Sequence, residues 1–116
     1  MERFEIDDVS KDGWEILGVS GDLDVYTAPR LRERLIEKIE GGKNRIAIDL
    51  CDVRFLDSTG LAVMVGTLKR ARQSNGDLVL LGANDQIIRI LNMTDLIKVL
   101  PVYRDYQELA AANQTE

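Results

Sequence analysis

The chain has no histidine and one cysteine, and these two shortages limit its chemistry. A serine hydrolase needs a base beside its nucleophile, and the usual base is histidine. A zinc site here would have to be built from poor ligands, since histidine and paired cysteines supply most such sites. The single cysteine, Cys51, excludes an internal disulfide and indicates a reducing, cytosolic compartment. We predict a cytoplasmic protein with no metal and no cofactor.

Basic residues are also few, and long apolar runs are lacking. The 116 residues include 15 Lys and Arg against 20 Asp and Glu, so the formal net charge is −5. A nucleic-acid surface requires clustered cations, and the short stripe of Lys69, Arg70 and Arg72 is typical of a solvated helix face. No stretch approaches the roughly 20 apolar residues of a membrane span, and no signal peptide follows Met1. We expect neither nucleic acid nor a membrane as a partner.

The N-terminal part of the chain predicts a β-hairpin. Residues 4–9 and 14–20 have strand character, and Lys11-Asp12-Gly13 between them favours a tight turn. Gly21-Asp22-Leu23-Asp24 should end the second strand. Thr27 can cap the helix that follows, because its hydroxyl could accept a bond from an unpaired amide, and Gly41-Gly42 should stop that helix.

Strands and helices alternate in the rest of the chain. Residues 45–50 and 78–81 are apolar enough for buried strands, and Gly76 should end the helix between them, after Asn75. Asp85 should cap a shorter helix, Pro101 suits an edge strand, and residues 106–112 favour a last helix. The pattern predicts an α/β fold: one domain over residues 1–112, in which an N-terminal hairpin leads into a mixed sheet packed with about four helices. Residues 113–116 should form a polar tail.

The tetrapeptide Asp57-Ser58-Thr59-Gly60 lies where the strand from Arg45 passes into a helix. Leu61, Met64, Val65, Leu68 and Ala71 follow it at helical spacing. Asp57 suits the N-cap position, because its carboxylate can accept bonds from the amides of the first turn. The hydroxyl of Ser58 is then not needed for capping. We expect Gly60, which has no side chain, to leave room for another surface to approach closely.

Other chemical interpretations of the acidic residues fit poorly. Asp22-Leu23-Asp24 after a strand resembles the paired aspartates of magnesium-dependent phosphatases, but the chain is too short for their cap and remaining acidic ligands. Gly42-Lys43-Asn44 lacks the other residues of a phosphate-binding loop. We therefore predict that the chain is not an enzyme, and that Ser58 is a substrate for another protein.

Several motifs together resemble the anti-sigma factor antagonists of the STAS domain family. Gly21-Asp22-Leu23-Asp24 precedes Thr27-Ala28-Pro29, a strand then ends in Asp49-Leu50, and Phe55-Leu56-Asp57-Ser58-Thr59-Gly60-Leu61 follows. The similarity extends from the hairpin through Leu96-Ile97-Lys98-Val99. Members of the family usually have glycine where this chain has Ala62, which should make the contact surface slightly bulkier.

This resemblance implies a switch between binding partners. Ser58 would be phosphorylated by a partner that is both an anti-sigma factor and a serine/threonine kinase, with Thr59 as the second candidate acceptor. The unphosphorylated protein would bind that kinase and release the sigma factor, and a serine phosphatase would remove the phosphate. The expected binding surface comprises Asp22, Asp24, Asp57, Ser58, Thr59, Gly60 and Ala62, with Gly66 beyond them.

Electrostatics predicts how the modification would act. A phosphate adds about −1.5 to −2 charges, which a helix N-terminus tolerates. We expect the fold to persist while the new group clashes with the partner and repels its acidic residues. Asp22, Asp24 and Asp57 would make this surface still more negative. Two alternatives remain: a scaffold STAS subunit of a larger signalling or lipid-transport assembly, and a nucleotide-binding module that uses the helix N-terminus.

Overall fold

The computed structural model describes residues 3–114, in which a five-stranded mixed sheet is packed with four α-helices. The strands are β1 (Glu5–Lys11), β2 (Trp14–Leu23), β3 (Arg45–Leu56), β4 (Asp77–Leu81) and β5 (Val102–Tyr103). The helices are α1 (Ala28–Glu40), α2 (Ser58–Gln73), α3 (Asp85–Met93) and α4 (Tyr106–Gln114), with a short 3₁₀ helix at Leu96–Lys98. The fold class predicted from the sequence is confirmed.

The N-terminal hairpin forms where the sequence places it. Strands β1 and β2 pair antiparallel, and Lys11 lies opposite Trp14. The two turn residues between them, Asp12 and Gly13, have φ values of 53° and 86°. Two successive positive φ values are typical of the type I′ turn, whose twist matches that of the flanking strands. The local turn chemistry therefore fixes the hairpin.

Strand β3 is longer than its apolar sequence predicts. It continues six residues past Leu50, the predicted end, because it pairs with β2 as far as Leu23 opposite Leu56. Strand β2 likewise passes through Gly21, whose φ of +100° accompanies an irregularity in the pairing and does not end the strand. The register shifts between the pair Gly21–Val53 and the pair Asp22–Phe55, and beyond this irregularity Leu56 faces the core.

The two faces of the sheet are covered by different helices. Helices α1, α2 and α3 pack on one face, where the buried side chains include Leu35, Met64 and Leu91. Leu109 of α4 packs on the other face beside Trp14, whose ring lies 4.5 Å from the guanidinium of Arg45. Because β4 lies between β3 and β5 and all its apolar side chains are buried, the prediction of an interior strand there is confirmed.

Two helix starts differ from the prediction. Thr27 is the residue before α1, but its hydroxyl donates to the carbonyl oxygen of Asp22 at 2.7 Å and does not cap the helix. Asn84, one residue before the predicted Asp85, caps α3 by accepting from the amide of Ile87 at 2.9 Å. The hydroxyl of Thr27 has another partner nearby, and Asn84 takes the place predicted for Asp85. Residue type alone therefore did not identify the cap of either helix.

The ends of α1 and α2 follow glycine-containing turns. Helix α1 stops at Glu40, as the following Gly41-Gly42 predicts. Helix α2 ends at Gln73, two residues earlier than expected, and Asn75 then adopts a positive φ of 63°. Gly76 follows in close contact with the backbone of Asn44, where a Cβ would lie 2.0 Å from the carbonyl oxygen. The amide of Gly76 also donates to the carbonyl oxygen of Ala71 at 2.7 Å, so this glycine closes the last turn of α2 and permits close chain packing.

The C-terminal segment is more regular than predicted. Pro101 precedes the two-residue edge strand β5, in agreement with the expectation of an edge. Helix α4 continues two residues past its predicted end at residue 112, through Asn113 and Gln114. Thr115 and Glu116 lie outside the described residues. Within residues 3–114, no helix has both the length and the apolar character required to cross a membrane.

Four charged residues join the hairpin to α1, and we call them the hairpin ion cluster: Asp8, Glu15, Arg34 and Lys38. Lys38 Nζ lies 2.9 Å from the buried carboxylate of Glu15 and 3.2 Å from that of Asp8, which also binds Arg34 at 2.8 Å. Hydrogen bonds from Ser10 and Lys38 lower the pKa of the Glu15 carboxyl. Hydrogen bonds from Arg34 and Lys38 lower the pKa of the Asp8 carboxyl. The pKa of Lys38 is raised, chiefly by Glu15.

Candidate protein-binding site

The topology of the sheet brings two loops to one edge. Because β2 and β3 are parallel, their carboxyl ends lie side by side, and the loop after each strand leads directly into a helix. The amide of Asp57 donates to the carbonyl oxygen of Leu23 at 3.1 Å, which ties the start of α2 to the end of β2. The predicted site residues Asp22 and Asp24 therefore lie on the same edge as Ser58.

Asp57 caps α2 as the sequence predicts. Its backbone is extended, with φ −103° and ψ −176°, and its carboxylate accepts from the amides of Thr59 at 2.9 Å and Gly60 at 3.1 Å. Two of the amides that a helix start leaves unpaired are thus satisfied, and a negative charge lies at the positive end of the helix dipole. This capping leaves the neighbouring hydroxyl of Ser58 unused.

Ser58 is the first residue of α2, and its side chain is exposed. Within residues 3–114 its hydroxyl forms no hydrogen bond, in contrast to Thr67, whose hydroxyl donates to the carbonyl oxygen of Val63 at 2.8 Å in the same helix. Thr59 is half-buried. Of the two predicted acceptors, Ser58 is therefore the more accessible to an enzyme.

The acidic residues at the end of β2 and in the loop after it, Asp22 and Asp24, are partly engaged within the chain. The carboxylate of Asp24 accepts from the amides of Tyr26 at 2.9 Å and Thr27 at 3.1 Å, so it shapes the loop. Asp22 lies 3.9 Å from the guanidinium of Arg54, which supplies a nearby positive charge. The edge is consequently less negative than the three aspartates of the sequence suggest.

Gly60 serves the core and not an external surface. It is buried, and a Cβ at this position would lie 2.6 Å from Leu56 Cδ1 and 2.9 Å from Leu23 Cγ. The expectation that Gly60 leaves room for a partner is wrong, because the first turn of α2 places its bare side against β2 and β3. Ala62, in contrast, is exposed.

Three exposed apolar residues occur at this edge, and the sequence analysis did not assign them a role. Tyr26 is 85% exposed and Val25 55%, both in the loop after β2, and Phe55 at the end of β3 is 46% exposed. Large apolar side chains in solvent often mark interaction sites when they share one surface. The feature of the sequence that could have indicated this surface is an aromatic residue, Tyr26, in a short turn beside polar residues.

A groove runs between α1 and α2 and begins beside the first turn of α2. Its volume is about 270 Å³. Ile36 and Val63 are half-buried in its walls, and Ala62 and Gly66 leave it open on the α2 side. A Cβ added at Gly66 would have no atom within 4 Å, so this glycine borders empty space. The groove places Ala62 and Gly66 on one continuous surface with the α2 N-terminus.

The remaining chemically notable groups do not form a reactive centre. Desolvation, together with the nearby carboxylate of Asp49, raises the pKa of Cys51 to about 11. Its thiol is therefore protonated near neutral pH, which makes it a poor nucleophile. Among residues 3–114, no three carboxylate or thiol groups are placed to hold a metal ion. The arrangement of residues favours recognition by another macromolecule.

Comparison with known proteins identifies the family of the chain. Residues 5–109 match the family model of the STAS domain, and the chain belongs to this family. Anti-sigma-B factor antagonists of Staphylococcus epidermidis and Staphylococcus aureus are 36% and 38% identical over 100 residues, which cover 86% of this chain and 93% of each relative. The resemblance stated from the sequence motifs is confirmed.

A solved structure shows the same architecture. The crystal structure of an anti-sigma factor antagonist from Mycobacterium paratuberculosis superposes on this chain with a TM-score of 0.85 at 25% identity. The match covers 95% of this chain and 93% of that one. The similarity therefore extends over the sheet, the helices and the edge that carries Ser58.

Proposed function

We propose that this protein is an anti-sigma factor antagonist that acts in the cytoplasm by exchanging partners. Unphosphorylated, it binds an anti-sigma factor that is also a serine kinase, and the sigma factor is released. Phosphorylation of Ser58 abolishes this binding, and a serine phosphatase restores it. The observation that carries the proposal is the exposed hydroxyl of Ser58, which forms no hydrogen bond with residues 3–114 and lies beside an aspartate that already caps the helix.

Phosphoryl transfer to Ser58 needs no catalytic group from this chain. The Ser58 oxygen would attack the γ-phosphorus of ATP held by the kinase, the hydroxyl proton would pass to a base of the kinase, and ADP would leave. The product carries about −1.5 to −2 charges at neutral pH. At the first position of α2 this charge is favourable to the helix, so the domain stays folded.

Loss of binding follows from where the phosphate would lie. Exposed Tyr26, Val25 and Phe55 share the edge with Ser58, and these side chains favour a contact that excludes water. Burying a dianion in such a contact costs far more than burying a hydroxyl, unless the partner supplies matching cations. Phosphorylation therefore changes the surface and leaves the core unchanged.

The test combines purified chain, its cognate anti-sigma factor kinase and ATP. Intact-mass measurement should show the addition of one phosphoryl group to the wild type and to Thr59→Ala, and none to Ser58→Ala. In calorimetry, Ser58→Ala should bind the kinase as the unmodified chain does, and Ser58→Asp should bind at least about a hundredfold more weakly, or about 2.7 kcal/mol.

Three results would contradict the proposal. Equal affinities of Ser58→Ala and Ser58→Asp would mean that charge at this position does not control binding. Absence of any mass change, with stable incorporation of the chain into a larger complex, would favour the scaffold role. Modification of Ser58→Ala with none of Thr59→Ala would move the acceptor to Thr59.

A further inference from the structure

The groove between α1 and α2 carries charge of one sign only. The charged residues that line it are two arginines, Arg32 on α1 and Arg70 on α2, although the chain as a whole has a net charge of −5. Both are exposed, and within residues 3–114 neither forms an ion pair or a hydrogen bond. Their charge is therefore directed to the surroundings of the groove.

The two arginines stand towards opposite ends of an apolar channel. Arg32 occupies the second turn of α1, near the end that Thr59 lines, and Arg70 is 11 residues beyond Thr59, a rise of about 16 Å along α2. Between these ends the lining is made chiefly of Ile36, Val63 and the small residues Ala62 and Gly66. A channel of this shape can receive a helix or an extended segment with one apolar stripe.

Acidic residues of α1 border a different surface. Glu33, Glu37 and Glu40 line an adjoining depression on α1, which shares Arg32 and Ile36 with the groove. An acidic segment would be repelled there and attracted on the α2 side, so the charge pattern selects one of the two depressions.

We infer that the α1–α2 groove binds an amphipathic segment of the anti-sigma factor kinase whose apolar residue is flanked by acidic side chains that contact Arg32 and Arg70. The inference rests on the proposed function and adds the chemistry of the partner surface. It also gives the phosphate a specific electrostatic target. A dianion on Ser58, adjacent to Thr59 at the end of the groove nearer Arg32, would repel the acidic side chains that approach this end.

Reversing the charge of each groove arginine in the intact chain tests whether the groove binds the kinase. Arg32→Glu and Arg70→Glu should each weaken binding of the unphosphorylated chain to the kinase about tenfold, mainly through slower association. Arg89→Glu, an exposed position of α3 away from the groove, is the control with the same change of net charge, and should bind as the wild type does. Raising the ionic strength from about 0.1 M to about 1 M, which shortens the Debye length from about 10 Å to about 3 Å, should weaken wild-type binding more than that of either groove variant.

Filling the groove tests its shape independently of charge. Gly66→Leu places a side chain in the open space beside Gly66, and replacing a mid-helix glycine should raise the thermal midpoint of the free chain. The same variant should bind the kinase at least tenfold more weakly, with Gly66→Ala between it and the wild type. If Gly66→Leu stays folded but loses binding, the loss comes from a blocked groove and not from damage to the fold.

The outcomes distinguish this inference from the proposed function. If Ser58→Asp abolishes kinase binding while the Arg32, Arg70 and Gly66 variants all bind as the wild type does, the groove inference is wrong and the switch stands. If the groove variants weaken binding while Ser58→Asp does not, the groove is the contact and the phosphorylation switch is wrong. If Arg89→Glu loses as much kinase affinity as Arg32→Glu and Arg70→Glu do, net charge alone explains the effect and the groove inference is wrong.

Discussion

At the Ser58 edge the carboxylates of Asp24 and Asp57 bind backbone amides, whereas those of the hairpin ion cluster bind cationic side chains. Asp57 accepts from two amides at the start of α2, so the adjacent hydroxyl remains available. Glu15 is buried against Lys38, and Asp8 binds Arg34, so this cluster is satisfied within the chain. The difference separates two roles: the cluster should contribute to stability without affecting binding, and the hydroxyl of Ser58 should contribute to binding without affecting stability.

Removing the cation of the cluster should have the largest effect on stability. Lys38→Met leaves the buried Glu15 carboxylate with Ser10 but without its positive partner. Breaking a buried pair costs about 3 to 5 kcal/mol, and we expect about 2 to 3 kcal/mol here because the Lys38 side chain is 24% exposed. Urea unfolding measures this loss, and kinase affinity measured in parallel should not change. A weakened complex would mean that the two regions are coupled.

The pH dependence of stability should follow the same cluster. Folding lowers the pKa values of Asp8 and Glu15. Their contribution to stability is therefore complete above their unfolded-state pKa values of about 4, and it is lost as the pH falls through their folded-state pKa values. Folding raises the pKa of Lys38, so its effect has the opposite direction. The contribution of Lys38 to stability is complete below its unfolded-state pKa of about 10.4, and it is lost as the pH rises through the folded-state pKa. Thermal midpoints across this range should form a plateau. Lys38→Met should lower this plateau and make the loss of stability smaller on both its acid and its alkaline side, because Lys38 contributes to the pKa shifts that cause these losses.

Gly60→Ala should be the next most costly change, and it tests the buried side of the edge. The added Cβ would lie 3.0 Å from the carbonyl oxygen of Leu23 and closer still to Leu56 Cδ1. Overpacking of this kind costs about 1 to 3 kcal/mol, and the better helix propensity of alanine offsets about 1 kcal/mol. We expect a net loss of about 1 kcal/mol or more in urea unfolding. A stabilised variant would show that Leu56 can move aside.

Asp57→Ala should cost about 1 kcal/mol through loss of the helix cap. The amides of Thr59 and Gly60 lose their acceptor, so the first turn of α2 should fray. Hydrogen exchange of these two amides should accelerate while that of the hairpin stays unchanged. Asp57→Asn, which keeps an acceptor oxygen, is the matched control and should retain most of the protection.

Ser58→Ala should have the smallest effect on stability, within about 0.5 kcal/mol, as is usual for exposed positions. Its hydroxyl has no partner within the described residues, so no hydrogen bond is lost. Thr67→Ala, whose hydroxyl is bonded within the same helix, is the comparison. A large loss of stability in Ser58→Ala would contradict the view that this hydroxyl is kept for an external partner.

Elements with strong local signals were predictable from the sequence. The Asp12-Gly13 turn, the helical spacing after Gly60 and the capping role of Asp57 each depend on neighbouring residues alone. The end of β3 was not predictable in this way, because Asp52 and Arg54 interrupt the apolar run after Leu50, and pairing with β2 holds this segment in the strand. The cap of α3 is similar: Asn84 also donates to the carbonyl oxygens of Val53 and Arg54, a contact that no local rule includes.

The candidate site was predictable as a position but not as a surface. Ser58 and Asp57 follow from the strand-to-helix pattern and from the family resemblance. Which side of Gly60 faces the core depends on how α2 lies on the sheet, and the groove with Arg32 and Arg70 exists only because α1 and α2 lie side by side. The exposure of Tyr26 depends on the conformation of the loop that Asp24 and Thr27 hold.

The position of Trp14 has a practical consequence for following these events. It is the single tryptophan of the chain, and it lies at the first residue of β2, whose ten residues place it about 30 Å from the Ser58 edge. Its ring packs beneath Leu109 and beside Arg45 on the opposite face of the sheet. Intrinsic fluorescence should therefore respond when α4 detaches and should not change when Ser58 is modified, so one optical signal reports unfolding without interference from signalling.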